Sequence, residues 1–152
     1  KKIAQRCNFI IKTYRLNILG VPFQEFQVND TDTLNTILEL IDEKSMFEMR
    51  AYDNKLKNVL KILQDARLVI AMRLHAGILA SLVSTPSLPL SYMEKVNSFW
   101  FESLGVTPLN IYTASFDDLI KAFNIIWNSN RSPQKLDLSL QDESLIRNIL
   151  QA

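Results

Sequence analysis

The residues best suited to chemistry follow two apolar runs in the middle of the chain. Arg73 and His75 come directly after the first run, and Ser91, Tyr92 and Lys95 come after the second. Continuous apolar runs of this kind predict strands that are buried on both faces of a parallel sheet. In such a sheet the loops that leave the carboxyl ends of the strands gather on one edge, where ligands bind. These side chains therefore predict an anion-binding site at that edge.

Arginine and lysine each fit this site for a physical reason. The planar guanidinium of Arg73 can donate two parallel hydrogen bonds to a carboxylate or a phosphate. Lys95 lies near the start of a predicted helix, where a cation opposes the helix dipole unless an anion is bound there. The alternative for both is an ordinary solvated surface residue. Tyr92 is expected either to pack half-buried or to donate its hydroxyl to the ligand.

His75 is the only histidine of the chain. Its spacing from Ile78, Leu79 and Leu82 puts it on an apolar helical face, which favours a packed, hydrogen-bonded core residue. Its position in the first helical turn favours function instead, because a helix N-terminus attracts phosphate and disfavours a second positive charge. A neutral histidine beside a bound phosphoester is placed for proton transfer.

Composition limits the kinds of site that the chain can hold. The 152 residues carry a net charge of +1, so no broad field favours nucleic acid, and an anion must be held locally. The three glycines form neither a G-x-G-x-x-G nor a Walker pattern. His, Cys and carboxylate residues do not occur at metal-ligand spacing. We therefore expect no metal and no cofactor. The single cysteine, Cys7, lies in an apolar helical pattern and is predicted to pack in the core.

Helix-like and strand-like patterns alternate along most of the chain. Apolar residues at helical spacing predict helices near 3–14, 30–41, 56–63, 75–83, 94–104 and 115–127. Short apolar runs predict strands near 16–23, 45–50, 67–72, 86–90 and 109–112, with 67–72 as the central strand. Asp30 or Thr31, and Ser115 or Asp117, are the expected helix caps.

This alternation predicts an α/β fold. We expect three layers, with helices on both faces of a mostly parallel sheet of about five strands joined by right-handed crossovers. Residues 1–132 are predicted to form one domain, and residues 133–152 a linker and a C-terminal helix that packs on this domain or on a missing one. Since the chain begins without Met, we expect it to be part of a longer protein.

The chain is also expected to be cytoplasmic and to have no transmembrane segment. Charged residues, asparagine and proline interrupt its apolar stretches well short of the roughly 20 apolar residues that a membrane helix needs. One cysteine without an internal partner fits a reducing compartment.

Three segments together resemble the signature of polysaccharide pyruvyl transferases. The first is Asp65–Ala76, which contains Arg73-Leu74-His75-Ala76, and the second is Thr85-Pro86. The third is Ser91-Tyr92-x-x-Lys95-Val96, with Lys95 twenty positions after His75. The resemblance is firm from about residue 65 to residue 105. One departure is Ser84, where the family usually has glycine before Thr-Pro or Val-Pro.

The resemblance implies a two-domain enzyme similar to GT-B glycosyltransferases, of which this chain is the C-terminal, Rossmann-like donor domain. The donor would be phosphoenolpyruvate, and the acceptor a sugar of a cell-surface polysaccharide or its precursor, which receives pyruvate as a ketal. Donor binding would fall to Arg73, Leu74, Ser91, Tyr92 and Lys95, and His75 would be the catalytic acid or base. A lipid-linked acceptor would bring the enzyme to the membrane surface. Without its N-terminal domain the isolated chain would be inactive.

Two other functions are compatible with the same pattern. The first is a GT-B-type nucleotide-sugar glycosyltransferase or epimerase domain, since fold does not fix function. Such a domain needs an acidic residue for the ribose, and no motif recommends Asp53 or Glu94 for that role. The second is a non-catalytic domain that binds an anionic glycan or a protein partner through the same edge.

Overall fold

The computed structural model describes residues 1–24, 29–51, 55–93, 97–98, 100–101 and 105–129. The chain divides into two compact units, Lys1–Asn54 and Lys55–Ala152. Helices and strands alternate in both, and every described strand pair is parallel, so the protein is a mixed α/β protein. The strands lie in two small sheets of two and three strands. A single domain over residues 1–132 stays a prediction.

The first unit is a helix–strand–helix–strand arrangement. Its elements are α1 (Lys2–Tyr14), β1 (Ile18–Gly20), α2 (Asp30–Glu39), a 3-10 turn (Lys44–Met46) and β2 (Phe47–Met49). The strands β1 and β2 pair in parallel, from Ile18 opposite Phe47 to Gly20 opposite Met49. The predicted helices and strands of this region are confirmed, although both strands are shorter than their apolar runs.

The core of the first unit forms where the apolar faces of α1 and α2 meet β2. Its buried members are Ala4, Cys7, Ile11, Ile37, Ile41 and Phe47. The burial of Cys7 raises the pKa of its thiol to about 11, because desolvation disfavours the thiolate. The prediction that Cys7 packs in the core is confirmed.

The second unit contains a longer alternation. Its elements are α3 (Leu56–Asp65), β3 (Val69–Ala71), α4 (Leu74–Leu82), β4 (Ser87–Ser91), β5 (Leu109–Asn110) and α5 (Phe116–Asn128). Residues 97, 98, 100 and 101 are also helical. The buried side chains come from α3, α4 with its C-cap residue, β4 and α5, together with Trp100. They include Leu60, Leu63, Leu79, Val83, Leu88, Leu90, Leu119 and Phe123.

The strand order in the second unit bears on which strand lies in the middle of its sheet. The described sheet has the order β3-β4-β5, so β4 lies between two strands and the 67–72 run lies at the edge of this sheet. Four consecutive residues of β4, Leu88 to Ser91, are buried, whereas Ile70 of β3 is 38% exposed. An apolar run shows that a segment is buried somewhere, but hydrogen-bonded pairing decides which strand is covered on both sides.

Proline is tolerated in this central strand because of where pairing with β5 begins. Leu90 lies opposite Leu109 and Ser91 opposite Asn110, so the β4–β5 ladder starts one residue after Pro89 and Pro108. Neither proline has an N–H to contribute to a ladder. The sheet is therefore continuous beyond them, towards its carboxyl edge.

Helix caps fix several of the turns. At α2 the cap is Asn29, whose side chain accepts a hydrogen bond from the Thr31 N–H at 2.8 Å, so the expected caps Asp30 and Thr31 were each one or two residues late. At α5 the prediction of Ser115 is confirmed by a capping box with Asp118. The Ser115 hydroxyl bond also lowers the pKa of Asp118 below its ordinary value.

Two predictions fall on residues outside the described ranges. The helix expected near 94–104 is described only at four positions, which are helical. The C-terminal helix expected within 133–152 lies wholly outside the described residues.

Candidate functional site

The carboxyl edge of the three-stranded sheet holds the predicted site residues that lie in the described ranges, which are Arg73, Leu74, His75, Ser91 and Tyr92. Parallel pairing puts Ala71 opposite Pro89, so the chain leaves β3 and β4 at the same level. The Ile111 N–H donates to the Ser91 carbonyl at 2.9 Å, which ties the end of β5 to the end of β4. The segments that begin at Arg73 and Tyr92 are therefore neighbours, although they lie 19 positions apart in the sequence.

Arg73 and Tyr92 are in direct contact at this edge. The Arg73 Nη1 donates a hydrogen bond to the Tyr92 hydroxyl oxygen at 3.0 Å. The guanidinium carbon also lies 5.9 Å from the centre of the Tyr92 ring, at the outer limit of a cation–π contact. Both side chains are half-buried. The arrangement holds a permanent cation in a partly desolvated position, where its attraction for an anion exceeds that in bulk water.

The start of α4 adds backbone donors beside this cation. Arg73 is the N-cap residue, with extended backbone (φ −91°, ψ 138°) and no side-chain cap bond. The first turn holds no acidic residue, and Leu74 is half-buried there. Helix starts of this kind attract anions through their N–H groups and the helix dipole.

His75 is exposed in the first turn of α4. The apolar face of the helix is instead formed by Ala76, Leu79 and Ala80, which are each 5% exposed or less. The imidazole is therefore not a packed core residue, and it is open to a ligand at the helix start. The periodicity that suggested core packing counted Ile78 and Leu82, which are only half-buried.

Ser91 has a different environment from the other site residues. It is fully buried, and its hydroxyl donates to the Met93 carbonyl at 3.0 Å. This bond stabilises the turn that leaves β4. Ser91 thus shapes the chain that carries Tyr92, while its hydroxyl oxygen is enclosed by the protein. Lys95, the second expected cation, lies outside the described residues.

Two contacts that the sequence did not indicate help to fix α4 and the turn that follows it. Gly77 lies against Trp100, and a Cβ atom at residue 77 would come within 2.1 Å of the Trp100 ring. The Thr85 hydroxyl, which is buried, donates to the Leu63 carbonyl at 2.7 Å and joins the end of α3 to the turn before β4. Glycine in the middle of a helical pattern was the one available signal, since it often marks close packing.

The described residues also limit the other chemistry of the protein. Within them, no group of three or more His, Cys, Asp or Glu side chains is arranged to hold a metal ion. No helix in the described ranges combines the length and the apolar character needed to cross a membrane.

Comparison with known families agrees with the signature at this edge. The sequence model of the polysaccharide pyruvyl transferase family matches residues 1–94, well over half of the chain. The chain belongs to this family. The match covers β1 to β4 and ends before Lys95 and β5. It therefore extends further towards the N-terminus than the resemblance judged from the motifs, and less far towards the C-terminus. No curated protein and no solved structure matches the chain significantly.

Membership of this family indicates a transferase that acts in polysaccharide biosynthesis, with a sugar or polysaccharide as acceptor.

Proposed function

We propose that this chain binds phosphoenolpyruvate at the carboxyl edge of the β3–β4–β5 sheet and is the donor-binding, C-terminal part of a GT-B-like pyruvyl transferase. The observation that carries the proposal is the parallel pairing of β3 with β4, which puts the Arg73–Tyr92 pair beside the start of α4. The family match over residues 1–94 supplies the reaction class.

The charge of the donor explains why this edge suits it. Phosphoenolpyruvate carries a carboxylate and a phosphate of about −1.5 to −2, so it needs several fixed donors in a partly dry site. Arg73 provides a cation, and the first N–H groups of α4 provide neutral donors. Lys95 would provide the second cation. Leu74 contributes its backbone N–H and a half-buried side chain beside the ligand.

The reaction requires proton transfer at two places. Two hydroxyl oxygens of the sugar form bonds to C2 of the enolpyruvyl group, and the C2–O bond to phosphate breaks. One hydroxyl proton ends on the methylene carbon, which becomes the methyl group of the ketal, and the other leaves with the phosphate. His75 would protonate the methylene carbon or relay a proton from an attacking hydroxyl. Its exposure at the helix start supports either role.

The acceptor would be held by an N-terminal domain of the same protein. Much of the rate gain in a two-substrate transfer comes from fixing both reactants in one closed cleft. We therefore propose that transfer requires both domains and takes place in the cytoplasm, at the membrane surface if the acceptor is lipid-linked. The 152 residues alone should bind the donor feebly, because an open edge is screened by water and salt.

Titration calorimetry of the whole gene product with phosphoenolpyruvate tests the proposal. Arg73→Ala should weaken binding roughly 10- to 100-fold, as expected for loss of a hydrogen-bonded charge. Arg50→Ala is the matched control, because Arg50 pairs only on the surface with Glu48 at 3.3 Å and should leave affinity unchanged.

Phosphate release from phosphoenolpyruvate with added sugar acceptors completes the test. Release that depends on both substrates is expected. Binding of nucleotide sugars in place of phosphoenolpyruvate, or equal affinities for Arg73→Ala and Arg50→Ala, would contradict the assignment.

A further inference from the structure

We infer that Tyr92 is a positioning residue that acts through Arg73: its phenol oxygen holds the guanidinium ready for the donor anion. This inference rests on the proposed function of the edge. It assigns Tyr92 neither to simple packing nor to direct contact with the donor, the two roles that the sequence left open.

Two contacts join Tyr92 to Arg73. A single Tyr92 side chain meets Arg73 twice, through the 3.0 Å hydrogen bond from Nη1 and through the ring at 5.9 Å from the guanidinium carbon. Arginine has many rotamers, and ordering them when a ligand binds opposes binding. A guanidinium that is already held before the ligand arrives avoids part of that loss.

Tyr92 is itself attached to a fixed part of the sheet through its neighbour Ser91. Tyr92 follows Ser91, which is fully buried and donates its hydroxyl to the Met93 carbonyl. The Ser91 carbonyl in turn accepts the Ile111 N–H of the chain that leaves β5. The backbone of Tyr92 is thus flanked by Ser91, which is fixed in the sheet, and by Met93, which is bonded to Ser91. A residue that orients another side chain needs such support.

The phenol is also uncharged, which is important at a site that binds an anion. A carboxylate at residue 92 would orient Arg73 equally well, but it would cancel the charge that an anionic donor must find. A neutral hydroxyl accepts the Arg73 N–H without bringing a negative charge to the guanidinium. Tyrosine can therefore orient Arg73 without itself weakening the attraction of the guanidinium for an anion.

The experiment is a double-mutant cycle in the whole gene product, read as kcat/KM for phosphoenolpyruvate in the phosphate-release assay. Tyr92→Phe keeps the ring and removes the acceptor oxygen. It should raise KM roughly three- to tenfold with kcat nearly unchanged, as expected for one hydrogen bond. In an Arg73→Gln background the same substitution should have no effect. Tyr112→Phe is the matched control, because Tyr112 is 70% exposed and should change nothing.

A ligand-free measurement separates this inference from the proposed function. NMR of the Arg73 guanidinium should show slow rotation about its Cζ–Nε bond in the wild type and faster rotation in Tyr92→Phe. If rotation changes but the wild type does not bind phosphoenolpyruvate, the positioning contact stands and the donor assignment falls. An equal loss from Tyr92→Phe in both backgrounds would overturn the inference in favour of direct contact with the donor. Unchanged KM together with unchanged rotation would overturn it outright.

Discussion

The loops that follow β1 and β3 both leave the carboxyl ends of parallel strands, yet side chains of opposite charge make their hydrogen bonds. After β1, the N–H groups of Phe23 and Gln24 both donate to the Asp30 carboxylate, at 3.1 and 3.0 Å. After β3, the helix begins instead with Arg73, which donates to Tyr92. In the first unit the chain supplies its own anion at this place, and in the second it presents a cation.

The difference separates a stability feature from a functional one. The first turn of α2 contains Asp30 and Asp32, which complement the helix dipole, whereas the first turn of α4 contains no acidic residue. A helix that begins with a cation forgoes a favourable interaction, and such local inconsistencies are expected at functional sites. Four sets of substitutions test this difference between the two units.

The largest effect is expected for His75→Ala. Turnover of the whole gene product should fall roughly 10²-fold or more, the usual contribution of a positioned acid or base. Because His75 is exposed, the melting temperature should stay within about 1–2 °C of the wild type, in line with other surface substitutions. Turnover with saturating phosphoenolpyruvate and acceptor, with a thermal melt of the same sample, measures both. A stability loss with full activity would show that His75 is structural.

Next is a pair of glycine substitutions, one in each unit. Gly77→Ala should lower the free energy of unfolding by about 1–3 kcal/mol, because the new Cβ would lie 2.1 Å from the ring of Trp100, which is 2% exposed. Gly20→Ala should cost less than about 1 kcal/mol, since its nearest neighbour is the flexible Leu34 side chain at 3.1 Å.

Urea unfolding of both variants measures this difference. Only Gly77→Ala should also reduce donor affinity, because α4 carries Arg73 and His75. Equal losses of stability in the two variants would contradict the close packing of Trp100 on α4.

A smaller effect is expected for Asp30→Ala. It should destabilise the protein by about 1–2 kcal/mol, because the N–H groups of Phe23 and Gln24 would lose their hydrogen bonds to a carboxylate. Donor affinity should not change, since the Asp30 carboxylate closes a loop of its own unit. Asp32→Ala is the control, because Asp32 is exposed on the same first turn and should cost only a few tenths of a kcal/mol. Chemical denaturation of the two variants side by side decides this, and equal losses would remove the special role of Asp30.

The smallest effect is expected at two helix ends in the described part of the chain where a residue other than glycine is left-handed. Ser84 has φ 56° after α4, where the Thr85 N–H bonds to the Ala80 carbonyl and the Ser84 N–H to the Ser81 carbonyl. This is a Schellman motif, whose left-handed position favours glycine. Ser84→Gly should therefore stabilise by about 0.5–1 kcal/mol, because relief of left-handed strain exceeds the added freedom of the unfolded chain.

Arg15 is the counterpart in the first unit, with φ 53° after α1. Arg15→Gly should gain less, since it also loses the exposed ion pair of Arg15 with Glu43 at 3.1 Å. Denaturation midpoints of the two variants measure the difference. A midpoint for Ser84→Gly below that of the wild type would show that the serine is favourable there.

Much of the fold was predictable because local spacing carries it. The helical faces of α1, α2 and α5, the packed Cys7 and the Ser115 cap all follow from residue type and period, which act over a few residues. The strand order did not follow, since the 67–72 run is as apolar as a central strand. Its place at the edge of the described sheet depends on which backbone groups pair.

The site was predictable in its residues but not in its contacts. Arg73, His75 and Tyr92 were identified because each follows an apolar run, and parallel strands end on one edge. The bond between Arg73 and Tyr92, the inward hydroxyl of Ser91 and the exposure of His75 were not visible, because each depends on side-chain direction. His75 shows this most clearly, since its periodicity alone favoured the core.

Residue type and spacing are enough to predict the alternation of helices and strands, the cation after β3 and the family to which the chain belongs. These properties rest on local patterns and on residue type, which are present before the chain folds. Only the folded structure shows that β4 lies between β3 and β5, that Trp100 packs on Gly77 and that Tyr92 contacts Arg73. Each of these joins residues about 18 to 23 positions apart, and such contacts form only when the sheet register fixes which segments become neighbours.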